Sequence, residues 1–332
     1  MSDKQIHDLA PGLSSEEMSA LFFDSDVLQE QPVQLYRVDF DQSRYYYSVD
    51  QKGDLTVYTS VTTLISITMP TSKHLIKWYA EMGWEAAKEY SEEMAHYGTF
   101  MHIEIQKLLI SRKCDLTEID KRLEDYIAGE RIGWSFMKHL EPLKKDILAF
   151  AQFMIDHDVK PLAIELVMAH PDGYAGAVDL YCEMSIDEMG EWGEVYASGE
   201  RKGEPKRTKK NLRVKAVIDF KRGRKGFYES HEIQLHAYRN LLVYNLNTSV
   251  DKLFNWSPKD WRGTTPTYNL KDQTNSHNLS KFPYLVELAR IEQAKREKFF
   301  TVIKGVIDLD QGDLSDNIDI INVDEFIKSK TL

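Results

Sequence analysis

Hydrophobic and polar positions alternate with two periods along this chain, and the switch between them divides it. From Val33 to Tyr58 the pattern is β: Gln34–Phe40 and Tyr45–Val49 flank a turn at Asp41-Gln42-Ser43, and Leu55–Tyr58 follows the Gly53 turn. Ser60 stands where a helix N-cap belongs, ahead of Thr62, Leu64 and Ile65, and Pro70 closes that short helix. A largely helical stretch runs from Ser72 to Asp156. It covers His74–Met94, Tyr97–Leu109, Leu123–Ile127 and Leu143–Asp156, with breaks expected at Gly98, near Cys114, and at Gly129 and Gly133. In the last of these Leu143, Ile147, Phe150, Ala151 and Met154 recur at helical spacing, which marks a core face. Short apolar runs then predict strands at Leu162–Ala169, Ala175–Cys182 and Leu212–Phe220. A helix over Glu229–Tyr244, a strand near Lys252–Trp256 and a long helix over Tyr284–Ile303 follow. The pattern separates an N-terminal segment with a hairpin (1–58), a helical region (59–157), a core (158–305) with a Gly- and charge-rich hairpin or insertion at 185–211, and an acidic tail (306–332).

Composition narrows the class. The 332 residues carry 42% hydrophobic and 29% charged positions, ordinary for a protein with a real core. No apolar run is long enough to span a bilayer, and Met1–Gln5 lacks the features of a signal peptide. Two cysteines, Cys114 and Cys182, cannot build a disulfide framework or a four-thiolate site, so an intracellular setting is expected. The net charge of -11 argues against nucleic acid until its distribution is read: Arg201–Lys225 holds twelve Lys and Arg against two acidic residues. Such a strip is either a solvated basic loop or a seat for a phosphate backbone, because counterion release acts locally.

Candidate chemistry sits in five short pieces. In Val217-Ile218-Asp219-Phe220-Lys221 strand alternation places Asp219 and Lys221 on one face. A carboxylate there offers a hard oxygen to Mg²⁺, and the ammonium a positive charge beside an attacking water or a phosphate, although a surface ion pair has the same letters. Gly176-Ala177-Val178-Asp179 puts an acid within an apolar strand, where it needs a partner, a metal or a strand-end position. Glu165, in Leu162–Val167, reads as an exposed edge or as a further carboxylate of the same site. Gly98-Thr99-Phe100-Met101-His102 turns His102 inward, as a core histidine or a ligand. Gln234 and Tyr238, one helical turn apart, either pack the helix or bond a phosphate or the lysine.

The order of the pieces resembles the PD-(D/E)xK nuclease superfamily, in particular its RecB-like exonuclease branch. The likeness runs from about Ser60 to Tyr244. Ser60-Val61-Thr62-Thr63 and Thr68-Met69-Pro70 add a closer similarity to mitochondrial genome maintenance exonucleases and related phage nucleases, as do Glu165 and His170 ahead of Asp179. The resemblance implies an α/β (α+β) fold: a central mixed sheet flanked by helices, with a helical arch over the site. It makes His102, Asp179, Asp219 and the Phe220 carbonyl ligands of one or two Mg²⁺ or Mn²⁺ ions, Lys221 the catalytic lysine, and Glu165 an assistant to a second metal or to Lys221. Gln234 and Tyr238 would support the site, Ser60, Thr62 and Thr63 would contact phosphate, and Arg222, Arg224 and Lys225 would grip the backbone. Independently of the resemblance, Trp78, Trp84, Tyr97 and Phe100 read either as core packing, the commoner case for such residues, or as rings that could stack on unpaired bases. No iron–sulfur cluster of the four-cysteine kind fits two cysteines, and no Gly-rich nucleotide loop of a helicase motor is present. The implied activity is cleavage of DNA, single-stranded and from an end, in replication, recombination or repair, of a phage genome among others, and with partner proteins of those processes. A structure-specific endonuclease and a catalytically inactive nucleic-acid-binding protein are the alternatives.

Overall fold

The computed structural model describes residues 35–40, 43–49, 55–195, 197–198, 202, 205–223, 226–294, 299–303 and 318–322. Strands β1 (Tyr36–Phe40), β2 (Ser43–Val49) and β3 (Leu55–Ser60) form an antiparallel meander. Ser60 ends β3 and caps α1 (Val61–Thr68), its side chain accepting the Thr63 N–H at 3.0 Å. Ser72 caps α2 (Lys73–Met82) in the same way. Then come α3 (Trp84–Ser111), α4 (Ile119–Gly129), a 3₁₀ turn at Trp134–His139 and α5 (Leu140–Asp156).

The core strands are β4 (Lys160–His170), β5 (Tyr174–Val195) and β6 (Pro205–Phe220), followed by α6 (Glu229–Leu246), β7 (Lys252–Pro258) and β8 (Tyr268–Asp272). A 3₁₀ turn at His277–Lys281 leads into α7 (Phe282–Ala294), and β9 (Phe299–Ile303) pairs with β10 (Ile318–Asn322). Strands β1–β8 make one mixed eight-stranded sheet in the order β1-β2-β3-β5-β6-β7-β8, with β4 also on β5.

Helices cover both faces of the sheet. On one face Leu180, Cys182, Ala216, Ile218, Phe220 and Trp256 pack against α3, α4 and α5 through Phe100, Met101, Ile105, Phe150 and Phe153. On the other, Tyr181, Val217 and Leu253 pack against α1, α6 and α7 through Val61, Leu64, Ile233, Leu241 and Phe282. Each of these large apolar side chains contributes roughly 1.5–3 kcal/mol on burial, so both layers are anchored to the strands that carry the candidate residues. The expected α/β architecture, a central mixed sheet flanked by helices, is what the chain adopts. No helix among the described residues is long and apolar enough to cross a membrane.

Two expectations about helices fail. Gly98 does not interrupt α3, which runs unbroken through it. The break falls at Gly83, whose φ of +84° suits glycine and whose N–H closes α2 on the Tyr79 carbonyl. The long helix expected to reach Ile303 does not: it is described to Ala294, and Phe299-Phe300-Thr301-Val302-Ile303 is a β-favouring run that finds a partner strand.

Residues 185–211 fall largely within a long hairpin, since β5 and β6 stay paired out to Val195↔Pro205. The basic strip is therefore half of a ladder whose other strand is acidic. Lys210 stands opposite Glu188, Arg213 reaches Glu183 and Asp158, and Asn211 bonds Asp187. At about 3.3 Å per residue, Lys210 lies roughly 33 Å from the Phe220 end of β6. The strip therefore does not sit beside the Asp-x-Lys motif; among the described residues only Lys221 and Arg222 of its basic members do.

Candidate active site

The site begins as a fork in the sheet. One edge of β5 is covered by β4. Along the other edge β3 pairs in parallel at Tyr174 and Ala175, and β6 pairs antiparallel from Leu180 onward. Between those contacts β3 turns away into α1 and β6 ends at Phe220, so residues 176–179 of β5 face a gap. A cavity of about 230 Å³ opens there, lined by Ser60, Val61, Thr62, His102, Glu165, Gly176, Ala177, Asp179, Phe220, Lys221, Gln234 and Tyr238, with Arg44 and Tyr46 from β2.

A paired irregularity in the two strands aims the acids. Ile164 and Leu180 are partners that pack on the α3–α5 side, yet Leu166 and Val178, two residues along and also partners, pack on the α1–α6 side. Strict alternation would keep each pair on one face. The switch falls at Glu165 and Asp179, which stand opposite each other between those pairs. Glu165 has a φ of +48°, a left-handed backbone that a non-glycine residue adopts at a local cost. The result directs both carboxylates to His102, which α3 brings from the other side. One ligand atom from each of His102, Glu165 and Asp179 lies within 4.8 Å of the others, and His102 Nδ1 stands 3.5 Å from Glu165 Oε1. The imidazole meets the Phe220 ring edge-on at 5.6 Å.

Asp179 does a second job. Its Oδ2 accepts the Phe220 N–H at 2.7 Å, which caps the end of the β5–β6 ladder. Next to it Lys221 Nζ donates to Asp219 Oδ1 at 2.8 Å and to Gln234 Oε1 at 3.0 Å, and Gln234 passes its amide N–H to the Tyr238 hydroxyl. Asp219 is fully buried, and its other oxygen accepts from Asn255 Nδ2 at 2.8 Å. Gln273 of the β8 end holds Asn255 in turn. Both Asp219 oxygens are thus engaged, and Asp219 is not among the three residues whose ligand atoms converge. Its carboxylate fixes the ammonium.

Electrostatics mark this centre as short of positive charge. Burial raises the Asp179 carboxyl above its usual range; Glu165 and Asp219 add to the effect, and His102 and Lys221 work against it. Burial likewise raises Asp219, with Lys221 and Asn255 opposing. Burial disfavours charge on His102, yet Asp179 and Glu165 outweigh it and lift the imidazole to about 9. Two carboxylates and an imidazole converging in such a place form a donor set of hard oxygens and one borderline nitrogen. That set fits Mg²⁺ or Mn²⁺, the nitrogen favouring Mn²⁺.

The remaining candidates divide. Ser60 and Thr62 line the cavity at the N-terminus of α1, with their hydroxyls 3.0 Å apart. Thr63 is buried behind them, tied to Ser60 and to the Arg44 backbone. Arg222 does not line the cavity: it is half-buried, beside Tyr90 and against Gly98. Arg224 and Lys225 lie outside the described residues. Tyr97 and Phe100 are core side chains, whereas Trp78, Tyr79, Trp84 and Tyr90 form a contiguous ring cluster on α2 and α3 with Trp84 largely exposed. Sequence reasoning missed Arg44 and Tyr46, which reach the site only because the N-terminal meander joins the main sheet. It also missed Asn255, whose one available signal was a polar residue inside the run Leu253–Trp256.

Comparison with known proteins adds no assignment: no family model matches the chain, and no curated protein matches it.

Proposed function

We propose that this chain is a divalent-metal-dependent deoxyribonuclease that hydrolyses phosphodiester bonds in the cavity between α1 and α3. The observation that carries the reading is the convergence of His102, Glu165 and Asp179 beside a lysine held by two acceptors. His102, Glu165 and Asp179 would hold Mg²⁺ or Mn²⁺, which when bound supplies Lewis acidity and a nucleophile at neutral pH. Lys221 carries the ammonium that steadies negative charge building on the phosphate or orients the attacking water. Asp219 and Gln234 keep it pointed there. Across the cavity the α1 N-terminus, with the Ser60 and Thr62 hydroxyls, offers a seat for a phosphate group, and Arg44 adds positive charge on the same side. The PD-(D/E)xK likeness supports DNA as the substrate, single strands as its form and cleavage from an end as its mode. Processing of DNA in replication, recombination or repair follows from that reading.

The test is a gel assay with end-labelled linear and circular single-stranded DNA, with and without Mg²⁺ or Mn²⁺. Metal-dependent loss of the linear strand, with the circle intact, is the expected result. Rapid cutting of the circle would replace exonuclease with endonuclease. Absence of cleavage under every metal condition would overturn the catalytic reading.

A further inference from the structure

A second cavity of about 240 Å³ lies next to the first, at the turn between β4 and β5. It is lined by Leu35, Tyr58, Ala169, His170, Tyr244 and Asn245, with Pro171 at its rim. Its chemistry differs from that of the catalytic cavity, for it holds no carboxylate and no lysine. Leu35 belongs to one small apolar cluster with Tyr46 and Ala175, and Tyr58 and Ala169 pack on it. His170 stacks on the buried Tyr174 at 4.9 Å with planes 13° apart, and meets Tyr244 at 5.0 Å. Tyr244 is 58% exposed. Asn245 donates its amide hydrogens to the Ala169 and Leu241 carbonyls at 2.9 and 2.8 Å. Its Oδ1 has no partner among the described residues and remains an acceptor.

The two cavities are neighbours along one strand. Tyr58 and Ser60 are two residues apart on β3 and so share a face, about 7 Å from each other. Tyr58 lines the second cavity and Ser60 the catalytic one. Tyr58 also pairs across the ladder with Tyr46, another wall of the catalytic cavity. A phosphate seated at Ser60 and Thr62 would therefore place an adjoining nucleoside within reach of Tyr58, Tyr244 and His170.

We infer that this second cavity is a nucleobase subsite, taking the base of the nucleotide next to the phosphate held at Ser60, between the Tyr58, His170 and Tyr244 rings and within reach of Asn245. The inference rests on the nuclease reading for its placement, but the pocket's affinity for a base does not need catalysis. Stacking on aromatic side chains is tolerant of sequence, since every base has a π face. The Asn245 acceptor favours bases with an exocyclic amino donor, adenine, cytosine and guanine, over thymine.

The test uses the full chain without added metal and two probes: deoxyadenosine 5′-monophosphate and the base-free 2-deoxyribose 5-phosphate. Saturation-transfer NMR is expected to show contact to the adenine protons, with affinity reduced at least tenfold in Tyr244→Ala, an exposed position whose truncation costs little stability. Asn245→Leu is expected to abolish the preference for deoxyadenosine over thymidine monophosphate. Equal binding of the base-free probe, or unchanged affinity in Tyr244→Ala, would overturn the subsite. A second arm separates a free nucleotide from a strand: linear oligonucleotides carrying one abasic position near the end. A cleavage defect of about tenfold at one such position, absent in Tyr244→Ala, places the base of a bound strand in the pocket. A chain that binds deoxyadenosine monophosphate but cleaves nothing would retain the subsite and discard the nuclease. Cleavage indifferent to abasic positions would retain the nuclease and discard the subsite.

Discussion

Two acidic clusters lie two residues apart on α3 and behave in opposite ways. Glu104 is fully buried, and its carboxylate is clasped by Arg122 through Nε at 3.0 Å and Nη2 at 2.7 Å, with Lys107 at 3.4 Å. Arg122 also reaches Glu118 and the Asp115 carbonyl, so it ties α4 and its leading loop to α3. Every charge there has its complement within the fold. At His102 the count runs the other way: Glu165 and Asp179 converge on the imidazole with Asp219 close by, Lys221 is committed to Asp219 and Gln234, and Arg44 lines the same cavity. A buried acid with its own arginine is a staple. A group of carboxylates converging on an imidazole is what the proposed metal ion would balance.

The strongest way to break this comparison is to neutralise one acid in each cluster. In Asp179→Asn we expect cleavage to fall by on the order of a hundredfold or more, as when a transition-state charge stabiliser is lost, while the metal-free protein loses little stability. The asparagine keeps an oxygen for the Phe220 N–H and removes a carboxylate that burial disfavours. Glu104→Gln should do the reverse: a stability loss of about 1–3 kcal/mol from the orphaned Arg122, with the turnover of folded molecules unchanged. Cleavage rates and urea midpoints measured on both variants decide the matter. A Glu104→Gln chain that folds well but has lost its activity would show that the two clusters are one system.

Metal addition gives a smaller and cleaner contrast. An ion that binds only the folded chain stabilises it by about 2.7 kcal/mol at a hundredfold excess over its dissociation constant. Mn²⁺ should therefore raise the thermal midpoint of the wild type and of Glu104→Gln alike. Asp179→Asn and Glu165→Gln should respond weakly or not at all. Equal shifts in all four proteins would move the metal away from His102, Glu165 and Asp179.

The sequence reveals one cluster better than the other, for a physical reason. Asp219 lies on a regular strand with Lys221 just past its end, and Gln234 and Tyr238 lie on a regular helix, where spacing gives the face. The local pattern also placed His102 inward, and the helical stretch carried it to the site. Glu165 did not follow from alternation, because its aim depends on a left-handed residue that no letter announces. Nor could the pattern reveal the fork: that β3 and β6 share one edge of β5 is a matter of long-range pairing, and it is what brings Arg44 and Ser60 opposite Lys221. The acidic partner of the basic strip is likewise visible only in register.

The two glycines near the site offer the finest test, because the structure assigns them different reasons for lacking a side chain. A Cβ at Gly176 would stand 3.1 Å from Tyr238 Cε1 and 3.2 Å from Val61 Cγ2, tighter than those side chains can accept without moving. Gly176→Ala should therefore displace Tyr238, loosen Gln234 from Lys221, and lower the rate severalfold. Gly98 is different. It lies inside α3, one turn before His102, and a Cβ there would meet only the Arg222 Cδ at 3.6 Å, an ordinary contact. Within a helix alanine is worth roughly 0.5–1 kcal/mol over glycine. Gly98→Ala should then stabilise the protein by about that amount, with activity unchanged, as read from a urea midpoint and an initial rate. A Gly98→Ala protein that is more stable yet slower would mean that Arg222 must move across this position during turnover. A destabilised one would mean that α3 bends at Gly98 after all.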